Sequence, residues 1–189
     1  GVGLKLASGL LDLSGGLLLP TMFFTMITAI ILGMGVPTTA NYVITSTIAA
    51  PALVQMGVPV LAAHMFVFYF GIIADVTPPV ALAAYAGAGI SGGNPLKTGI
   101  NASKLAIAAF IIPYIFVLSP VILMIEGSAL DLLLSTITAL IGMVALSSSL
   151  IGFLADHCRL PERLLLAVGG LLMIKPGLLT DVVGIVLFG

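Results

Sequence analysis

Charge is what this sequence has least of. Asp, Glu, Lys and Arg make up 7% of its 189 residues, and hydrophobic types make up 60%. Mean hydropathy is +1.32. Soluble domains carry roughly 25% charged residues, and a water-soluble fold of this length could not cover its surface with so few. The charges also avoid the apolar stretches: between Leu13 and Leu96 the only formally charged residue is Asp75. A charge at the bilayer centre costs about 2.5–3.5 kcal/mol on insertion scales. The distribution is that of a chain whose solvent is lipid.

A basic excess is missing too. The net charge of -1 offers no basic face of the kind nucleic acid requires, which excludes nucleic acid as a partner. The single cysteine, Cys158, excludes an internal disulfide and a cysteine-based metal cluster. There is no His-Glu-x-x-His zinc pattern, no Gly-x-Ser-x-Gly elbow and no phosphate-cradling Gly-x-x-x-x-Gly-Lys-[Ser/Thr]. Enzymatic chemistry, an ATP site and a bound organic cofactor are therefore not expected. No basic n-region or cleavage site precedes the first apolar pattern, so no signal peptide is expected. Gly1 opens inside an apolar pattern and Gly189 closes one, which reads as a fragment of a longer membrane chain.

What is present is a series of apolar runs cut by Gly, Pro and Thr. A spanning helix needs about 20 apolar residues. Leu17 to Leu32 and Ala40 to Met56 each fall short of that, and the corner Gly33-Met34-Gly35-Val36-Pro37 joins them. Two short helices around such a corner predict a re-entrant hairpin over 17–56. The run 61–88 is long enough to cross but carries Asp75-Val76-Thr77-Pro78-Pro79 near its middle. Two prolines remove two backbone donors and expose preceding carbonyls; in a bilayer this survives only where protein or a polar cavity satisfies them. A helix is expected over 105–125, kinked by Pro113 and Pro120, and another from Leu132 to Leu154. The last run, Leu164 to Phe188, is interrupted by Lys175-Pro176-Gly177. It reads as one broken helix or a shallow hairpin.

Lys97 and Lys104 precede the 105–125 run, Arg159 and Arg163 follow the Leu132 helix, and the loop between holds Glu126 and Asp131. The positive-inside rule puts the basic ends in the cytoplasm and the acidic loop outside. Traced backwards, the hairpin enters from the outer face.

Two constellations could carry chemistry. In Gly33-Met34-Gly35-Val36-Pro37-Thr38-Thr39-Ala40-Asn41, glycines let carbonyls turn toward a ligand. Threonine hydroxyls add oxygen donors for a hard cation, and the helix starting near Thr39 offers free N–H groups to an anion. The plainer alternative is a Gly/Pro kink with threonines bonded back to the helix. In Asp75-Val76-Thr77-Pro78-Pro79 an intramembrane acid sits beside a proline-made break, or else merely caps a helix. Two interrupted segments in one chain match the pointer to a transporter's midplane site. His64 lies three helical turns before Asp75 on roughly the same face. The two read as a proton relay, or His64 as an interfacial residue without chemistry. Tyr42, Tyr69, Tyr85 and the phenylalanines at 66–70 read as lipid or packing contacts. Gly87-Ala88-Gly89 and Gly169-Gly170 read as helix-packing positions.

The ordered run Gly33–Tyr42, Ala49-Ala50-Pro51-Ala52-Leu53, His64–Gly71 and Ala74-Asp75-Val76-Thr77-Pro78-Pro79-Val80-Ala81 resembles the large membrane subunit of TRAP transporters. More narrowly it is similar to the fused permeases of the TAXI branch. The tail with Pro161–Leu166 and Pro176–Asp181 resembles that branch's C-terminal extension. The resemblance implies a multi-pass protein of a bacterial or archaeal inner membrane. Its partners would be an extracytoplasmic solute-binding receptor and the N-terminal remainder of the permease, including the small-subunit region. Uptake of organic anions, typically carboxylates, would be coupled to sodium. The implied fold is all-α integral membrane: a re-entrant hairpin plus a discontinuous transmembrane helix, the second repeat of an elevator-type ion transporter. Residues 1–126 would form that repeat and 127–189 an extension of further transmembrane helices. By carry-over, Gly33, Gly35, Pro37, Thr38, Thr39, Asn41, Asp75, Thr77 and Pro78 frame a sodium and substrate site, with sodium at Gly33, Gly35, Thr38 and Thr77. Ala81 stands where many members have glycine, so substrate preference does not transfer from the dicarboxylate branch. The rival readings are a proton-coupled transporter using His64 and Asp75, and a scaffold subunit with no site of its own.

Overall fold

The computed structural model describes residues 2–125, 127–174 and 177–188. Glu126 and the interruption at Lys175-Pro176 lie outside the described residues. Eleven α-helices are present among them, and no strand beyond one isolated bridge. The chain is all-helical, and it divides into two compact units, 1–117 and 118–189. Two helical stretches are long and apolar enough to cross a membrane, Pro95–Leu118 and Ala129–Ile151.

In the first unit, α1 (Val2–Leu13) leads into α2 (Leu18–Gly33), α3 (Thr38–Ile48) and α4 (Ala50–Gln55), followed by α5 (Val60–Ile73). A 3₁₀ turn at Ala74–Val76 precedes α6 (Leu82–Ser91), α7 (Pro95–Leu105) and α8 (Ile107–Leu118). α5 is the hub and packs on α2, α3 and α4. Its buried positions Ala62, Ala63, Phe66, Val67, Phe70 and Gly71 recur at helical spacing. Phe66 and Phe70 stack edge-on at 4.8 Å and both meet the Tyr114 ring of α8, at 5.3 and 5.9 Å. Such pairs contribute about 0.5–1.5 kcal/mol each beyond area burial. α2 turns Met22, Thr25 and Ala29 inward and leaves Leu19, Phe23, Ile27 and Ile31 exposed. That outward apolar stripe would be a liability in water; in lipid it is simply wetted.

The helix expected over 105–125 divides differently. α7 starts after Asn94, whose side chain accepts the Lys97 N–H at 3.0 Å, with Pro95 in its first turn. A turn at Ala106 passes the chain to α8, where Pro113 is accommodated. α8 ends at Leu118 because Ser119 leaves helical geometry (φ -140, ψ 80) and Pro120 follows.

In the second unit, α9 (Ala129–Ile151), α10 (Leu160–Ile174) and α11 (Leu178–Phe188) pack side by side. Ser128 and Asp131 form a capping box at the start of α9, and Gly152 (φ 80) closes it. α9 and α10 meet at Gly142 and Gly170. A Cβ on either would lie 2.7 or 2.6 Å from the other's carbonyl oxygen. Small residues let helix backbones approach this closely in membranes.

Candidate functional site

The connection between α2 and α3 is built as its composition demands. α2 stops at Gly33, Gly35 takes φ +71, and Pro37 precedes the first residue of α3, Thr38. Pro37 has no side-chain cap to offer, so the first N–H groups of α3 remain open. Thr38 and Thr39 are exposed at this helix start. α2 and α3 pack against each other, which makes 18–55 a helical hairpin with its tip at 34–37.

The second interruption is equally defined. α5 tightens into the 3₁₀ turn holding Asp75, and the chain runs through Thr77 and a cis Pro78–Pro79 bond. It re-enters helix after Ala81, at φ 38. The Thr77 hydroxyl donates to the Ile73 carbonyl at 2.7 Å, a back-bond to the preceding turn. Donation uses the proton and leaves oxygen lone pairs free. Other groups serve the carbonyls that the break releases. Ser103 donates to Val76 O at 3.0 Å, and Tyr85 donates to Pro79 O at 2.8 Å. Asp75 is half-buried and no hydrogen bond engages its carboxylate among the described residues.

Tip and break share one end of the unit. The Asn41 amide, 3% exposed, wedges between Gly33 and Gly71. A Cβ on Gly33 would stand 2.5 Å from the Gly71 carbonyl oxygen. Gly71 precedes Asp75 by one helical turn, about 6 Å along the axis. The 3₁₀ turn itself packs on α2. Asn41 Oδ1 is buried with no hydrogen-bond partner, as is Thr25 Oγ1; such atoms are uncommon in native folds.

His64 does not reach Asp75. Its Nδ1 pairs with the Tyr42 hydroxyl at 3.0 Å, and Tyr42 stacks edge-on with Phe68 at 5.5 Å. The pair ties the second arm of the hairpin to α5.

Residues 1–129 match the family model of the tripartite ATP-independent periplasmic transporter, DctM component. The chain belongs to the DctM family. No curated protein and no solved structure matches it. DctM components are membrane permeases of transporters and not enzymes. As part of a tripartite system, such a permease works with a solute-binding receptor and a small subunit.

For a DctM chain, sequence pattern located both interruptions but missed what supports them. Gly71 and Asn41 meet only in the fold. Neither Ser103 nor Tyr85 carried a signal pointing to the break carbonyls, since each lies on another helix. Gly99, on α7, carries no signal of its own in the sequence either. A Cβ there would crowd Tyr85 Cε1 at 3.1 Å and Pro78 Cγ at 3.2 Å. Thr38 and Thr39 make no hydrogen bond to the break among the described residues.

Proposed function

We propose that this DctM chain forms the second-repeat half of a sodium-coupled uptake permease for organic anions, carboxylates above all. It would be seated in a bacterial or archaeal inner membrane and served by an extracytoplasmic receptor. The observation that carries the reading is the meeting of two helix interruptions. The hairpin tip and the Asp75–Pro79 break lie at one end of the same unit, held by the Gly33–Asn41–Gly71 contact. Discontinuous helices are how transporters expose backbone oxygens and helix termini at a site within the membrane.

The chemistry divides between the two. Gly33 and Gly35 carbonyls and the Thr38 and Thr77 hydroxyl oxygens are hard donors suited to sodium. The uncapped start of α3 favours an anionic group. Sodium binding would order the tip, and the ordered tip would complete the carboxylate site. Coupling of this kind requires that ion and anion favour the same hairpin state.

The test is sodium-driven uptake by the full permease with its receptor in proteoliposomes. Thr38→Ala and Thr77→Ala should each raise the sodium concentration for half-maximal uptake on the order of tenfold, the equivalent of about 1.4 kcal/mol. Unchanged sodium dependence removes both residues from the ion site. Asp75→Asn separates the proton-coupled alternative, under which it abolishes pH-driven uptake, from the sodium-coupled cycle, much of which it spares. The pairing of His64 with Tyr42 speaks against a direct His64–Asp75 relay.

A further inference from the structure

The second unit contains a cleft remote in sequence from the hairpin and the break. It is an open hollow of about 590 Å³ between the 154–159 loop, the start of α10 and the end of α11. Volumes of about 300–1,000 Å³ are typical of small-ligand sites. One wall is apolar, with Leu154, Leu165 and Leu187, and the rim carries Asp156, Arg159 and Glu162, with His157 beside them.

The loop is a built frame. His157 bridges to Phe153 and their rings meet edge-on at 5.6 Å. The Cys158 N–H donates to the Gly152 carbonyl at 2.9 Å. Each rim carboxylate accepts one backbone N–H: Asp156 from His157 and Glu162 from Arg159, both at 2.6 Å. Each retains a second oxygen for a ligand. Arg163 is spent elsewhere, donating to the Ser149 and Leu150 carbonyls at the end of α9. The Arg159 guanidinium has no partner among the described residues.

Position and charge together select the occupant. The loop follows Ala129–Ile151, a helix long and apolar enough to cross a membrane, and Leu150, Ile151, Phe153 and Leu154 are exposed around it. That is the place where a spanning helix leaves the hydrocarbon. A purely anionic headgroup would meet two carboxylates beside one guanidinium, and a purely cationic one would meet Arg159. A molecule whose headgroup joins a phosphate to an ammonium, on a glycerol bearing acyl chains, satisfies both signs and the apolar wall.

We infer that this cleft seats a zwitterionic aminophospholipid of the phosphatidylethanolamine type. Arg159, aided by His157, takes the phosphate; Asp156 and Glu162 take the ammonium; Leu154, Leu165 and Leu187 receive the proximal acyl chain. Charge-assisted hydrogen bonds of this kind are shorter and stronger than neutral ones.

The experiment is native mass spectrometry of the full permease in detergent, titrated separately with dioleoyl-phosphatidylethanolamine and dioleoyl-phosphatidylglycerol. The expected result is preferential retention of the ethanolamine lipid, reduced several-fold by Arg159→Gln and by Asp156→Asn, and largely kept by Arg159→Lys. In a second arm, Leu165→Trp fills the cleft without touching the rim charges and should also displace the lipid. Equal retention of both lipids, preference for the glycerol lipid, or variants that retain ethanolamine lipid like the parent would each overturn the assignment.

Discussion

Asn41 sets its amide into a gap that exists only because positions 33 and 71 lack side chains. At Gly71 an added Cβ would collide with that amide, and at Gly33 with backbone. Gly71→Ala should therefore destabilise the permease by about 1–3 kcal/mol, the usual cost of overpacking a filled core. Thermal unfolding in detergent measures this. Gly87→Ala is the control: the sequence reads it as a packing position, but a Cβ there meets nothing within 4 Å, so the change should be neutral or slightly stabilising. Gly35 is a different case. Space around it is open, but its φ of +71 costs an L side chain about 1–2 kcal/mol. Gly35→Ala should impair uptake more than it impairs folding, since the tip is a connection and not core. If bulky residues at Gly33 and Gly35 leave uptake intact, the scaffold reading gains and the site reading falls. The sequence marked these glycines as special but could not separate the two reasons, steric contact and backbone angle.

Among the elements, the apolar runs are legible in the sequence while their ends and contacts are not: the helix expected over Leu132–Leu154 is α9, Ala129–Ile151, because Ser128 caps it earlier and Gly152 closes it. The capping box at Ser128 is local chemistry: Ser128 Oγ accepts the Asp131 N–H at 3.2 Å and Asp131 accepts the Ser128 N–H at 2.9 Å. Ser128→Ala should cost about 1 kcal/mol and speed amide exchange in the first turn of α9. The α9–α10 crossing is not local. Gly142→Leu would place a side chain where the Gly170 carbonyl lies 2.7 Å from the first added atom. It should separate the two helices, which a cross-link between cysteines introduced along the crossing would report as lost efficiency. The sequence marks Gly169-Gly170 as packing positions but does not name Gly142 as the partner. That pairing depends on how far along α9 the second helix crosses. The expected 105–125 helix shows the opposite limit. Pro113 and Pro120 both read as kinks in the sequence, yet Ser119 and Pro120 end the helix at Leu118 through backbone angles that composition alone does not reveal.

For the whole molecule, the placement of the basic residues predicts which side of the membrane each end faces. Arg159 and Arg163 predict a cytoplasmic 152–163 loop, and Cys158, the single cysteine of the 189 residues, lies in it. A membrane-impermeant maleimide should therefore label Cys158 in inside-out vesicles and not in right-side-out ones, any other cysteines of the full permease having been replaced. The reverse pattern would invert the topology and turn the hairpin to the cytoplasmic side.

The sequence by itself determined the solvent and the punctuation. So few charges at this length can only suit lipid, and the Gly33–Pro37 and Asp75–Pro79 clusters break helices because backbone angles and missing N–H donors are local properties. It determined the family as well, through ordered motifs that a family model also matches over 1–129. Only the tertiary structure decided which interruptions meet and what stabilises them. Asn41 against Gly71, Ser103 and Tyr85 on the break carbonyls, and His64 on Tyr42 instead of Asp75 are all contacts between separate helices. Their existence depends on helix rotation and crossing, which van der Waals packing sets between elements and no local pattern encodes.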